Sequence, residues 1–201
     1  MTIADAKIIE LPKFLDARGN LSFAENYKQI PFEIKRTYWI YDVPGGENRG
    51  GHAYRENEEF IIALSGAFDV VVDDGVNKKT FTLNRSYYGL YVPAGLWRTM
   101  ENFSTNSLAL EFGSRHFDKE DYIRDYEEYL CYREQVSGFK FQVSGSNLEP
   151  LTINHEPVRK YNVFDCSMVE LDRHHSDRKG DLTVVDNGET LPFDVKRVYY
   201  L

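Results

Sequence analysis

The chain has 201 residues, a formal charge of −8 and 42% apolar residues, enough for one domain with a core plus an appendage and too apolar for extended disorder. The acidic balance argues against a nucleic-acid partner, which needs a basic face to replace phosphate counterions. Two cysteines, Cys131 and Cys166, exclude a disulfide framework and a cysteine zinc site and suit a reducing compartment.

The opening Met-Thr-Ile-Ala-Asp-Ala-Lys lacks the basic start and apolar stretch of a signal peptide. The most apolar run, residues 60–64, is far too short to cross a bilayer. A cytoplasmic chain with no membrane partner is expected. Pro31-Phe32-Glu33-Ile34-Lys35-Arg36 reads as a turn leading into a strand at Tyr38-Trp39-Ile40. Residues 60–64 and 68–72 are strands parted by Ser65-Gly66, and Asp74-Gly75 supplies a hairpin. Further strands are expected at 80–83, 87–92 and 107–112. Many short strands at this spacing indicate an all-β sandwich or barrel. One helix is predicted near 118–131, capped by Asp118, with Tyr122, Ile123, Tyr126, Tyr129 and Leu130 as its buried stripe. Cys131 follows that stripe and is expected to be packed and inert. The chain divides into a barrel over 1–135, a Gly- and Pro-containing connecting segment over 136–160, and a tail over 161–201.

That tail repeats the N-terminal region. Residues 16–40 align without gaps on 177–201 at a constant offset of 161, with nine of 25 positions identical, including Gly19/Gly180, Leu21/Leu182, Asn26/Asn187 and Arg36/Arg197. Chance gives only about one or two identities, so this is an internal repeat. Two readings stay open: the chain is the front of a longer tandem protein, or the extra strands join an existing sheet.

Two blocks carry the chemical signal: Arg49-Gly50-Gly51-His52-Ala53-Tyr54 with Glu58-Glu59, and residues 89–98, ending Pro93-Ala94-Gly95-Leu96-Trp97-Arg98. They resemble the paired motifs of the cupin superfamily, a double-sheet β-barrel (jelly roll). In its metal-binding members these motifs supply three histidines and a glutamate. Here His52 and Glu59 fit, but Tyr54 and Arg98 stand at the other two places, so no metal and no other cofactor is expected. His174-His175 has no evident third ligand, adjacent strand residues facing opposite ways. With Asp73-Asp74-Gly75 and Asp121-Tyr122-Ile123-Arg124-Asp125-Tyr126, the match over roughly residues 7–132 is similar to the sugar 3,4-ketoisomerases, also called WxcM-like.

The resemblance implies conversion of a dTDP-linked 4-keto-6-deoxy sugar to its 3-keto form, and a homodimer with exchanged N-terminal strands. It also implies a catalytic pair at His52 and Tyr54. Alternate residues of a strand share a face, and imidazole exchanges protons near neutral pH. The family has a second histidine where Tyr54 stands, which leaves open a non-catalytic sugar-nucleotide-binding or assembly module, or half of a tandem protein. Arg49, Arg36, Tyr38, Glu59 and Trp97 are the expected substrate-binding residues. Arg49 would hold the diphosphate, Trp97 would stack at the barrel mouth, and Glu59 would orient the site.

Overall fold

Strand β6 (Glu59–Ser65) shows why the sequence closes into layers: its first five residues are all buried, so both of its faces need a partner. The computed structural model describes residues 1–138, 169, 171, 173–176, 180–191 and 193–200. Preceding β6 are β1 (Lys7–Glu10), β2 (Lys13–Phe14), β3 (Leu21–Glu25), β4 (Arg36–Tyr41) and β5 (Arg49–Tyr54). Following it are β7 (Phe68–Asp73), β8 (Lys78–Leu83), β9 (Tyr88–Val92), β10 (Trp97–Glu101) and β11 (Leu108–Gly113). A 3-10 turn at Lys119–Asp121 leads to β12 (Tyr122–Ile123) and helix α1 (Tyr126–Gly138). The tail adds β13 (Arg173–His174), β14 (Asp181–Asp186) and β15 (Arg197–Tyr200).

The strands form a seven-stranded sheet, β1-β9-β6-β11-β4-β14-β13, a five-stranded sheet, β12-β5-β10-β7-β8, and a three-stranded sheet, β15-β3-β2. All the strand ladders are antiparallel. Ile40, Ile61, Leu90 and Ala109 of the larger sheet meet Phe68, Val70, Leu83 and Met100 of the five-stranded sheet in the main core. The neighbours Phe60, Ile62, Leu110 and Phe112 turn the other way and bury Ala24, Ile30, Phe32 and Ile34 in a second core. The expected all-β double-sheet barrel is therefore observed, with one α-helix among the described residues following it. Asp74-Gly75 does lie in the β7–β8 hairpin, Gly75 at φ +86° while the Asp74 carboxylate accepts from the amides of Val76 and Asn77.

The helix differs from expectation. Asp118 caps only the 3-10 turn, accepting from the Glu120 amide, and Tyr122-Ile123 extend to pair with Tyr54 and Ala53. The α-helix starts at Tyr126, with the Asp125 carboxylate accepting from the Glu128 amide. The edge of β5 offered Tyr122 and Ile123 a ladder, and this outweighed a helical spacing that only Tyr126, Tyr129 and Leu130 go on to use. Cys131 is exposed rather than packed, because the apolar side of α1 turns toward Ala53, Trp97 and Ile123. The connecting segment beyond Gly138 lies outside the described residues, as do Cys166 and His155.

The described strands of the tail join existing sheets. β14 extends the large sheet beside β4, and β15 pairs with β3.

Candidate active site

Alternation along β5 turns His52 and Tyr54 to one side, into a cavity of about 490 Å³ between the sheets. Arg36 and Tyr38 of β4 face it from the other sheet, with Asn48, Arg49, Arg98, Tyr122, Arg124 and Leu182 completing most of the wall. Of the expected residues, Arg36, Tyr38, Arg49, His52 and Tyr54 are thus brought together. Glu59 stands behind Tyr38 rather than on the wall. Trp97 is not among the residues lining the cavity. Its ring packs on Tyr126 and Tyr129 of α1, centroids 5.2 and 5.6 Å away. On β10 its neighbour Arg98 points inward, so strand parity sends Trp97 to the outside of the sheet.

Three aromatic rings cluster on this wall. The His52 and Tyr54 centroids are 4.7 Å apart and nearly perpendicular, and Tyr122 lies 5.0 Å from His52 and 4.6 Å from Tyr54. The Tyr54 hydroxyl donates to the Tyr122 hydroxyl at 3.1 Å, and Arg36 Nη1 donates to the same oxygen at 3.4 Å. His52 Nε2 is buried with no hydrogen-bond partner among the described residues, an exception to the usual pairing of buried polar atoms. Burial, and then the positive charge of Arg98, depress the His52 pKa to about 3, so its imidazole is neutral at ordinary pH. Burial, with Glu59 and Tyr122 nearby, pushes the Tyr54 phenol well up, so it stays protonated.

Beneath this layer Arg98 is only 2% exposed. Its Nε donates to Glu59 Oε2 at 2.8 Å, and Nη2 donates to Glu59 Oε1 and Glu111 Oε2, both at 2.7 Å. The Tyr38 hydroxyl donates to Glu59 Oε1 at 2.6 Å. Burial works against the Glu59 charge, but Arg98 outweighs it and holds the carboxyl low. Glu111, more weakly compensated, is pushed up to about 7 by burial. Gly50 makes the arrangement possible: at φ +66°, any Cβ there would lie 1.5 Å from Arg98 Nη1.

A cupin metal does not fit this donor set. Glu59 is committed to Arg98 and Tyr38, and the guanidinium occupies the space beside it. Among the described residues no group of three His, Cys, Asp or Glu side chains converges as metal ligands would. The wall around the three aromatic rings is cationic, with Arg36 and Arg124 both against Tyr122. Arg36, Arg49 and Arg124 line it, with no carboxylate among the lining residues, in a chain whose net charge is −8. Burial lowers the Arg49 pKa, and its Nε is enclosed without a partner. Tyr122 and Arg124 were legible in the Asp121–Tyr126 motif, but reading it as helix hid that they face the cavity.

An antiparallel double-sheet barrel whose cavity brings a buried imidazole, two phenols and several arginines together has the architecture of a cupin. The profile of the WxcM-like, C-terminal (FdtA) family matches residues 4–134, and the chain belongs to that family. It is 39% identical over 126 residues to the TDP-4-oxo-6-deoxy-alpha-D-glucose-3,4-oxoisomerase of Aneurinibacillus thermoaerophilus, covering 63% of this chain and 91% of that protein. A 3,4-ketoisomerase from Helicobacter canadensis is 42% identical with a TM-score of 0.64, over 65% of this chain and 98% of that one. QdtA, a sugar 3,4-ketoisomerase from Thermoanaerobacterium thermosaccharolyticum solved with TDP, is 30% identical with a TM-score of 0.64, over 65% and 96% of the two chains. The tail lies outside the family match.

Proposed function

We propose that this chain is a sugar-nucleotide 3,4-ketoisomerase that moves the ketone of a dTDP-linked 4-keto-6-deoxy sugar from C4 to C3, with His52 as its acid–base group. The observation that carries the assignment of roles is that His52, whose Nε2 has no hydrogen-bond partner among the described residues, lines a cavity shared with two phenols. The arginines of the cavity wall suit the diphosphate, and Arg49 is its anchor, a guanidinium offering paired donors to phosphate oxygens. Arg36 and Tyr38 border the sugar, Glu59 fixes Tyr38 and Arg98 from behind, and Trp97 is reassigned to packing.

Neutral His52 takes the proton from C3, and the electron pair forms the C3–C4 double bond of an enediolate with its charge on O4. The linked hydroxyls of Tyr54 and Tyr122 donate to that charge and pass a proton from O3 toward O4. His52 then returns its proton to C4, leaving a ketone at C3 and a hydroxyl at C4. No proton or electron is gained or lost overall. An anion in the cavity offsets the field of Arg98 and so raises the basicity of His52 when it is needed. Tyr54, at the place of the family's second histidine, serves as a donor in this scheme rather than as a base.

The setting proposed with this activity is cytoplasmic, which the sparse cysteines support, with no nucleic-acid or membrane partner. No helix among the described residues is long and apolar enough to cross a membrane. The exchange of N-terminal strands between two copies that the resemblance implies is not part of this proposal, because strands of the chain's own tail lie on β3 and β4. Incubation with dTDP-4-keto-6-deoxyglucose in heavy water, followed by NMR, tests the activity: the 3-keto sugar should appear with deuterium incorporated during the transfer. Binding of dTDP without turnover would overturn it in favour of a binding module.

A further inference from the structure

The tail and the N-terminal segment pair with each other as two copies of one interface would. β14 repeats β3, and β15 repeats the start of β4, at the offset of 161. β14 lies against β4 with Leu182 opposite Ile40 and Asp186 opposite Arg36. β15 lies against β3 with Arg197 opposite Glu25 and Tyr200 opposite Ser22. Replacing each tail residue by its N-terminal counterpart gives one and the same register: Leu21 against Ile40, and Glu25 against Arg36.

The side chains reciprocate as well. Asn187 Nδ2 donates to the Ile34 carbonyl at 2.6 Å, and Asn26 Nδ2 donates to that of Val195, the counterpart of Ile34, at 3.5 Å. The amide of Asn187 donates to the Lys35 carbonyl at 3.0 Å, and that of Asn26 to the Lys196 carbonyl at 3.4 Å. Arg36 is paired with Asp186 at 3.5 Å, and Arg197 with Glu25. Residue i touching j′ while j touches i′ is the mark of an isologous, two-fold interface. Here both halves belong to a single chain.

We infer that the tail is an internal stand-in for a second copy of the N-terminal strand segment, building within one chain a two-fold exchange of strands. The occupants of the β4 and β3 edges are β14 and β15 of the same molecule. Its docking also finishes the cavity, since Leu182 is part of the wall and Asp186 pairs with Arg36. The pairing is independent of the reaction assigned above.

The full chain carrying Cys131→Ser and Cys166→Ser, with Glu25→Cys and Arg197→Cys facing each other across the β15–β3 ladder, decides the matter on mild oxidation. The cross-linked product should run at the single-chain mass of 23.4 kDa on a non-reducing gel, and the native protein should scatter light as one chain. Cross-linking at twice that mass would place the contact between chains and overturn the inference. Failure of the folded protein to cross-link would overturn the pairing itself.

Discussion

Buried beside Arg98, the His52 imidazole is held neutral at a cost that appears only in acid. Its folded pKa, about 3, lies below its unfolded value near 6.5. The stability it contributes is therefore complete above the unfolded value and is lost as pH falls toward the folded one. Glu111, raised to about 7, works in the opposite direction: its contribution is complete below the unfolded carboxylate pKa and disappears as pH rises through about 7. Comparison with His52→Asn separates the two. Between about pH 7 and about pH 5 the natural chain should lose on the order of 2 kcal/mol more unfolding free energy than the variant, measured by urea denaturation. Equal pH dependence would mean that His52 is more hydrated than its burial indicates. The Arg-Gly-Gly-His-Ala-Tyr stretch made His52 and Tyr54 legible because strand parity alone places them on one side. The link from Arg98 to Glu59 and Glu111 was not, since it joins three different strands.

Trp97 shows what the element scale adds. It closes the turn after Pro93-Ala94-Gly95, where a sequence reading expects a stacking platform for substrate. Yet β10 alternates, and its inward position is taken by Arg98. The ring instead joins Tyr126, Tyr129 and Ile123 in a small core holding α1 to the outer face of the five-stranded sheet. The Tyr129 hydroxyl fastens the same helix by donating to the Asp73 carbonyl at 2.7 Å. Trp97→Ala should lower stability by about 3 kcal/mol through lost packing, while calorimetry shows dTDP affinity within about twofold of the natural chain. A tenfold loss of affinity without loss of stability would return Trp97 to the binding site. The strands were readable from period-two patterning and turn residues. The helix start was not, because Tyr122 and Ile123 fit a helical stripe and a strand equally well, and only the free edge of β5 decided between them.

At the scale of the whole molecule, the repeat was visible as nine identities in a fixed register, but its consequence was not. A pattern of identities says that two segments are alike; it does not say that they face each other. Here likeness and facing coincide, and the second copy seals the barrel edge next to the cavity. Enclosure matters for the proposed chemistry, because an enediolate is protected from stray protonation only where water is kept away, and the hydrogen bonds from Tyr54 and Tyr122 gain strength in a dry site.

The proton transfer itself is tested most directly by following exchange at C3 of dTDP-4-keto-6-deoxyglucose in heavy water, for the natural chain and for His52→Asn side by side. With His52 as the group that takes the C3 proton, the natural chain should exchange and isomerise, and the variant should slow both by about 10²–10⁴-fold while still binding dTDP. Exchange by the variant within tenfold of the natural rate would contradict the account and assign the proton to another residue.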